Sequence, residues 1–157
     1  MAQEIERKFL VCGEFKSRAI RVERICQGYL SSVPERTVRV RLQGEQGCLT
    51  VKGAGDASGV SRYEWETKIA AEEALELLRL CEPGVIDKSR HYVPVGQHLF
   101  EVDEFHGENA GLVIAEVELH APDEPFERPE WLGKEVTGDV RYYNAVLSRA
   151  PYSTWKN

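Results

Sequence analysis

The stretch EIERK near the start of the chain places charged residues at every second position. Because a β-strand points successive side chains to opposite faces, Glu4, Glu6 and Lys8 would share one face of such a strand. Two carboxylates and an ammonium in a row suit an exposed sheet edge. They equally suit a site that binds a metal and an anion together, since the oxygens attract the metal and the ammonium attracts the anion.

Other segments repeat this separation of charged and apolar side chains. The charged positions that share a face within their own segment are Arg39 with Arg41, Lys88 with Arg90, Glu101 with Asp103, Glu116 with Glu118, and Arg62 with Glu64, Glu66 and Lys68. In another segment, Lys52 lies on the face opposite Leu49 and Val51. One such strand is typical of an antiparallel sheet with its polar face in water. Here, however, many segments carry an almost wholly charged face, and the opposite face carries large residues such as Trp65. This combination favours a barrel with a charged interior.

The charged faces supply two kinds of ligand-binding group. Donors for phosphate oxygens are Lys8, Arg39, Arg41, Lys52, Lys88 and Arg90, and hard oxygen ligands for Mg²⁺ or Mn²⁺ are Glu4, Glu6, Glu116 and Glu118. Because like charges crowded in a cavity are costly unless compensated, a metal–polyphosphate complex that neutralises both sets is the favoured ligand. We therefore predict that the glutamates of EIERK bind metal and that Lys8 contacts phosphate.

Eight alternating segments, separated by turn-like sequences, must position these residues. The predicted strands are Glu4–Val11, Arg21–Leu30, Thr37–Gln43, Cys48–Lys52, Ser61–Ile69, Ile86–Val95, Leu99–Phe105 and Leu112–His120. Apolar spacing predicts a helix at Ala70–Cys81, and Asp139 could cap a helix over residues 141–150. A shorter helix is predicted around Glu14–Ala19. Together these elements predict an α+β fold, an eight-stranded antiparallel β-barrel with helices packed outside.

Composition limits the other function classes. The chain has 157 residues, which predicts a single domain over residues 1–157. Its net charge of -6 argues against a nucleic-acid polymer or an acidic membrane as partner, but a small anionic ligand remains compatible. No apolar run reaches the length of a membrane span, and a cytoplasmic location is the expectation. The four cysteines form no CxxC pair and predict packing roles, and the four histidines lack metal-ligand spacing.

An ordered set of motifs resembles the CYTH family, the triphosphate tunnel metalloenzymes. EIERK matches the ExExK signature of that family, and QGYLS, RVR, TVKG, RYEWE, KSR, EVDEF, AEVEL, KEVTGD and RYYN follow in the order of its short bacterial members. The resemblance covers nearly the whole chain. It implies an eight-stranded antiparallel tunnel with a charged interior, in which triphosphates are cleaved with the help of divalent metal.

The resemblance also implies roles for individual residues. The implied metal ligands are Glu4, Glu6, Glu116 and Glu118, with Glu64, Glu66 and Asp103 as acidic positions that assist a second metal, so two Mg²⁺ or Mn²⁺ ions are expected. The implied triphosphate-binding residues are Lys8, Arg39, Arg41, Lys52, Lys88 and Arg90. The implied catalytic residues are Glu4, Glu6, Lys8, Tyr29, Lys52 and Arg90. For Tyr29, in QGYLS, a packing role is an equal alternative.

The activity expected from this resemblance is hydrolysis of inorganic tripolyphosphate to pyrophosphate and phosphate. Thiamine triphosphatase and class IV-type adenylyl cyclase activities are the alternatives within the family. A non-catalytic polyphosphate- or nucleotide-binding module would need the basic residues alone, so the complete acidic set favours an enzyme. A lipocalin-like carrier would need an apolar interior and is disfavoured. Exposed strand edges would permit a homodimer.

Overall fold

The predicted strands are present in the computed structural model, which describes residues 5–55 and 62–155. The strands are β1 Ile5–Val11, β2 Arg21–Ser31, β3 Arg36–Gln43, β4 Gln46–Gly55, β5 Arg62–Ile69, β6 Ile86–Val95, β7 His98–Phe105, β8 Val113–Leu119 and β9 Leu132–Glu135. Each of the eight predicted segments corresponds to one of β1 to β8, and β9 is an addition. Glu4 and Ser61, where two predicted strands begin, lie outside the described residues.

Within the described ranges the strands follow the order β5-β4-β3-β2-β6-β7-β8-β1-β9. The predicted closed barrel of eight strands is therefore wrong, since the sheet has nine strands and is open. Strand β9 is the additional, ninth strand. It pairs antiparallel with β1 through Phe9–Glu135 and Val11–Leu132, so β1 has β8 on one side and β9 on the other. Its sequence LGKE is too short for alternation to predict a strand.

The helices are few, as the α+β prediction requires. Helix α1, Ala71–Arg79, confirms the helix predicted at Ala70–Cys81. The predicted C-terminal helix is shorter than expected: a 3-10 turn at Val140–Tyr142 is followed by α2, Asn144–Leu147. The Asp139 carboxylate accepts a hydrogen bond from the Arg141 N–H and caps the 3-10 turn, while extended backbone at Tyr143 separates the two pieces. Near the N-terminus, Lys16–Arg18 forms another 3-10 turn. No helix in the described segments is long and apolar enough to cross a membrane.

The backbone divides into two compact units, which are described separately below. Unit 1 comprises Met1–Glu23 and Lys88–Asn157, and unit 2 comprises Arg24–Asp87. The single domain over residues 1–157 stays a prediction. In unit 1 the core lies on one side of the strands. Its buried members are Phe9, Phe15, Val93, Val95, Phe100, Val102, Ala115, Val117, Leu119 and Trp131. Because side chains alternate, the intervening positions of these strands must point to the opposite, charged face.

Strand β9 is attached to β1 by side chains as well as backbone. The Arg7 guanidinium donates from Nε and Nη2 to the two carboxylate oxygens of Glu135, at 2.9 and 2.6 Å. The Thr137 hydroxyl donates to the same carboxylate at 2.6 Å, and the Val136 N–H donates to the Lys8 carbonyl at 2.8 Å. The hydrogen bonds from Arg7 are the main reason that the pKa of Glu135 falls to about 2. The Arg7–Glu135 pair thus attaches β9, the strand at the edge of the sheet, to β1.

We expect Glu135→Gln to destabilise the protein by about 1 kcal/mol at neutral pH, since a partly exposed bidentate ion pair is lost. The folded-state pKa of about 2 lies below the ordinary 4.5, so the stabilisation is present above pH 4.5 and is lost as the pH falls towards 2. Urea unfolding of wild type and variant across this range should show a difference that shrinks on acidification. Glu127→Gln, in the loop before β9, is the control. A difference independent of pH would contradict the account.

Candidate active site

The strand register of unit 1 gathers the predicted charged residues on one face. Lys8 lies opposite Glu116, which lies opposite Glu101, and Glu6 lies opposite Glu118. Arg90 lies opposite Asp103. Because directly opposed residues of antiparallel strands share a face, the unit 1 face is the one that carries the charged residues Glu6, Lys8, Lys88, Arg90, Glu101, Asp103, Glu116 and Glu118, together with uncharged residues such as Tyr92 and Phe105. The alternation in the sequence therefore predicts which residues of these strands lie together.

Two carboxylates of the unit 1 face compete for one proton. A hydrogen bond with Glu116 raises the pKa of Glu6 to about 7, and burial and the negative charge of Glu116 act in the same direction. Lys8 opposes this effect, with its ammonium 3.5 Å from Glu116 Oε1. Burial also raises the pKa of the neighbouring Glu101. A crowded group of carboxylates that retains a proton near neutral pH has the electrostatic character of a cation-binding site.

Asp103 is fully compensated by basic side chains. Arg90 donates from Nε and Nη2 to its two oxygens at 2.8 and 2.9 Å, and the Lys88 ammonium lies 2.9 Å from Oδ2. The Lys88 and Asp103 side chains are each only 4% exposed. Burial alone would raise the pKa of Asp103, but the hydrogen bonds from Arg90 and the charge of Lys88 outweigh it and hold the pKa below its ordinary value. The three residues form a buried ion cluster.

The buried ion cluster affects the ligand-binding roles predicted for Asp103, Lys88 and Arg90. Both oxygens of Asp103 are occupied by cationic donors, and the ammonium of Lys88 is buried beside Phe105, at 5.5 Å from the ring centroid. The metal contact of Asp103 and the phosphate contact of Lys88 stay predictions, and each would require a group that is already paired. Arg90 differs, because its Nη1 reaches only Glu101, at 3.3 Å, and a guanidinium carries five N–H donors. Arg90 therefore has donors left for an anion.

Unit 2 builds a second charged face in the same way. Across β2 to β5, Tyr29 lies opposite Arg39 and Gln27 opposite Arg41. Thr50 lies between Arg39 and Glu66, and Lys52 lies opposite Glu64. The unit 2 face thus consists of Gln27, Tyr29, Arg39, Arg41, Cys48, Thr50, Lys52, Glu64, Glu66 and Lys68. All the unit 2 residues predicted to bind triphosphate or metal are members of this face.

The acids and bases of the unit 2 face are unequally paired. Thr50 donates its hydroxyl to Glu66 at 2.7 Å, which lowers the pKa of Glu66, and the Lys52 ammonium lies 3.8 Å from Glu64. By contrast, no described carboxylate forms an ion pair with Arg39 or Arg41. The Nε of Arg39 is buried and has no hydrogen-bond partner among the described residues. Two half-buried guanidiniums that form no ion pair within the described ranges have the chemistry to bind an anion.

Tyr29 is held in place by the connection that follows α1. The Glu82 N–H donates to the Tyr29 carbonyl at 2.8 Å, and the Glu82 carboxylate accepts hydrogen bonds from the N–H and hydroxyl of Ser32. Gly28 permits this close approach, since a Cβ there would lie 3.0 Å from Val85 Cγ2. The Tyr29 side chain is half-buried and lies opposite Arg39. Both the catalytic and the packing interpretation of Tyr29 are compatible with this position.

The structure adds residues to the two faces and their contacts for which the sequence predicted no functional role. Gln27 and Thr50 are buried polar residues of β2 and β4. They share parity with Tyr29 and Lys52, which is the signal that could have identified them. Glu101 shares parity with Asp103 and is identified by it as a member of a charged face, but no ligand role is predicted for it from the sequence. Tyr143, whose ring lies beside Lys8, carries no parity signal because it belongs to an irregular segment, and its one signal in the sequence is its place in the RYYN motif.

The carboxylates of the unit 1 face have the chemistry of ligands for a divalent metal. Glu6 and Glu116 are hydrogen-bonded carboxylates, and Glu118 lies opposite Glu6, so the oxygens are of the kind that Mg²⁺ or Mn²⁺ prefers. Among the described residues, however, no three Asp, Glu, His or Cys side chains converge on one point. Glu4, the remaining predicted ligand of this strand, lies outside the described residues. The described residues thus offer a metal two neighbouring carboxylate donors, Glu6 and Glu116.

Comparisons with known proteins agree on one family. Residues 2–144 match the family model of the CYTH domain. The chain is 45% identical over 157 residues to an inorganic triphosphatase of Acetivibrio thermocellus, covering 99% of each chain. It is 37% identical over 150 residues to an inorganic triphosphatase of Nitrosomonas europaea, covering 92% of this chain and 96% of that one. A crystal structure of an inorganic triphosphatase aligns with a TM-score of 0.79 and 32% identity, over 94% of this chain and 95% of the other.

We expect Asp103→Asn to destabilise unit 1 by about 3 to 5 kcal/mol, because it leaves Lys88 and Arg90 buried without their counter-charge. Urea unfolding monitored by circular dichroism measures this difference. Glu101→Gln is the matched control, since Glu101 makes a single 3.3 Å contact with Arg90 and should cost about 1 kcal/mol or less. Equal effects of the two substitutions would show that the buried cluster carries no special stability.

Proposed function

This chain belongs to the CYTH family, and from that premise we propose that it hydrolyses inorganic triphosphate to pyrophosphate and phosphate. The observation that carries the proposal is the unit 2 face, where Arg39 and Arg41 lie half-buried without a described carboxylate partner. Two relatives named inorganic triphosphatase, at 45% and 37% identity, support the choice of substrate. A small triphosphate is thus the proposed partner, and the cytoplasmic location and the homodimer remain predictions.

The unit 2 face would bind the phosphate chain. Arginine presents N–H donors in a fork that matches two phosphate oxygens, and Arg39 and Arg41 alternate along one strand. Lys52 adds a third positive charge, since its ammonium lies 3.8 Å from Glu64 and is only loosely paired. We propose that Glu64 and Glu66 limit the positive charge of this face and assist a metal only when the triphosphate is bound.

The unit 1 face would hold a divalent cation through Glu6 and Glu116, with Glu4 and Glu118 as the further predicted ligands. The pair retains a proton near neutral pH, and a cation would replace that proton as the compensating charge. When bound, a divalent cation supplies Lewis acidity toward phosphate oxygens and water. Mg²⁺ and Mn²⁺ both suit carboxylate oxygens, and a second ion is part of the proposal.

The basic residues of the unit 1 face would act on the phosphoryl group. Lys8, whose ammonium is 3.5 Å from Glu116, and Arg90, which has unused donors, would bind its oxygens and offset the charge that develops during transfer to water. Lys88 and Asp103 would hold the Arg90 guanidinium in orientation through their buried cluster. The reaction consumes one water and one triphosphate and needs no covalent intermediate on the protein.

We expect purified protein to release phosphate from tripolyphosphate in the presence of Mg²⁺, to stop when the metal is chelated, and to resume when Mg²⁺ is restored. Glu116→Gln should lower kcat by about 100-fold, because one oxygen donor and its charge are lost. Glu73→Gln, on the exposed surface of α1, is the control and should retain activity. Release unaffected by chelation would reject the metal.

Alternative activities are outcomes of the same assay. Tight binding of tripolyphosphate without release would indicate a binding module. Release only from thiamine triphosphate, or cyclic nucleotide formation from ATP, would replace the inorganic substrate with an organic one. Each result is distinguished by the product that is detected.

Replacement of Arg41 tests the unit 2 face. We expect Arg41→Gln to raise the KM for tripolyphosphate and to weaken its binding in calorimetry by about tenfold or more, the equivalent of one charge-assisted hydrogen bond. Arg79→Gln is the matched control in the same unit, since Arg79 is exposed on α1 and pairs with Glu76. An unchanged affinity in Arg41→Gln would remove this face from the proposed binding site.

A further inference from the structure

The Lys8 side chain is contacted by an aromatic ring from the C-terminal part of unit 1. Its ammonium lies 4.9 Å from the centroid of the Tyr143 ring and 3.5 Å from Glu116 Oε1. The Lys8 side chain is 16% exposed, so it is largely withdrawn from water on the charged face. An ammonium at this distance over a ring face is attracted by the ring quadrupole.

The backbone at Tyr143 is fixed on both sides. Its N–H donates to the Val140 carbonyl at 3.1 Å, and its carbonyl accepts hydrogen bonds from Val146 at 3.0 Å and Leu147 at 2.9 Å. Leu147 is 1% exposed and anchors α2 in the core. The ring is therefore held by a capped, packed turn, although 41% of the residue is exposed.

The same segment also fixes the backbone of Lys8. The Lys8 N–H donates to the Thr137 hydroxyl at 2.9 Å, and its carbonyl accepts from the Val136 N–H at 2.8 Å. Residues 136–143 thus contact Lys8 at its N–H, its carbonyl and its ammonium. The lysine side chain is a flexible stem of four carbons with rotatable bonds, so without such contacts the ammonium would sample many positions.

We infer that Tyr143 is a positioning residue whose ring holds the Lys8 ammonium in place for a phosphate oxygen. The inference rests on the proposed function, in which Lys8 binds the triphosphate. The ring rather than the hydroxyl performs this role, because among the described residues the Tyr143 hydroxyl makes no hydrogen bond. Exposure of the ring also fits a second interpretation, a stacking surface for the organic part of a nucleotide, which the experiment separates from the first.

The first test replaces the ring and measures hydrolysis of tripolyphosphate. We expect Tyr143→Phe to retain the wild-type kcat/KM, and Tyr143→Leu to lower it by about 2- to 5-fold. Phenylalanines carrying one, two and three fluorines at position 143 should lower kcat/KM stepwise, because fluorine weakens the ring quadrupole with little change in size. A purely structural role would give no such trend. Tyr63→Leu, an exposed tyrosine of β5, is the matched control.

The second test does not depend on activity. In protein labelled with ¹³C-lysine, the ε-methylene protons of Lys8 should be shifted upfield by the Tyr143 ring current, in wild type and Tyr143→Phe but not in Tyr143→Leu. Absence of that shift, or a flat fluorine series in an active enzyme, would overturn the inference. An effect of Tyr143→Leu on ATP alone would also overturn it and favour the stacking surface. A ring-dependent shift in a protein that releases no phosphate would overturn the proposed function and leave the contact intact.

Discussion

Alternation of side chains along antiparallel strands is the constraint on which both charged faces depend. In unit 1, Phe9 and Val117 are almost completely buried, and each is next to a charged residue, Lys8 or Glu116, on the same strand. A slip of one residue in the register would expose the core and bury the charges. The apolar face therefore holds the charged face in alignment, and this alignment does not depend on the charged side chains pairing with one another.

The balance of charge distinguishes the residues that support the structure from those proposed to bind a ligand. Asp103 is buried with Lys88 and Arg90, so its charge is balanced inside the protein. By contrast, contact with the Glu116 carboxylate raises the pKa of Glu6 to about 7, and Arg39 and Arg41 have no described counter-ion. Because an unbalanced charge in a restricted space is costly, such groups gain most from an incoming ion of opposite sign. The proposed metal and triphosphate are the ions that this imbalance would select.

The C-terminal part of unit 1 completes the surroundings of a residue near the start of the chain. Glu135 pairs with Arg7, Val136 and Thr137 bind the backbone of Lys8, and Tyr143 covers its ammonium. These contacts join residues more than 120 positions apart in sequence. Strand β9 thus does more than extend the sheet, since it begins the segment that fixes Lys8.

The sequence by itself determined the strands and the faces, because alternation is a local property: all eight predicted segments form, and Glu6, Lys8, Arg39, Arg41 and Glu116 share faces with the residues their parity predicts. Only the tertiary structure decided that LGKE forms β9, that Asp103 is paired by two cations, and that the Tyr143 ring lies beside Lys8. These features depend on contacts between segments distant in sequence, where burial and pairing, not periodicity, decide the outcome.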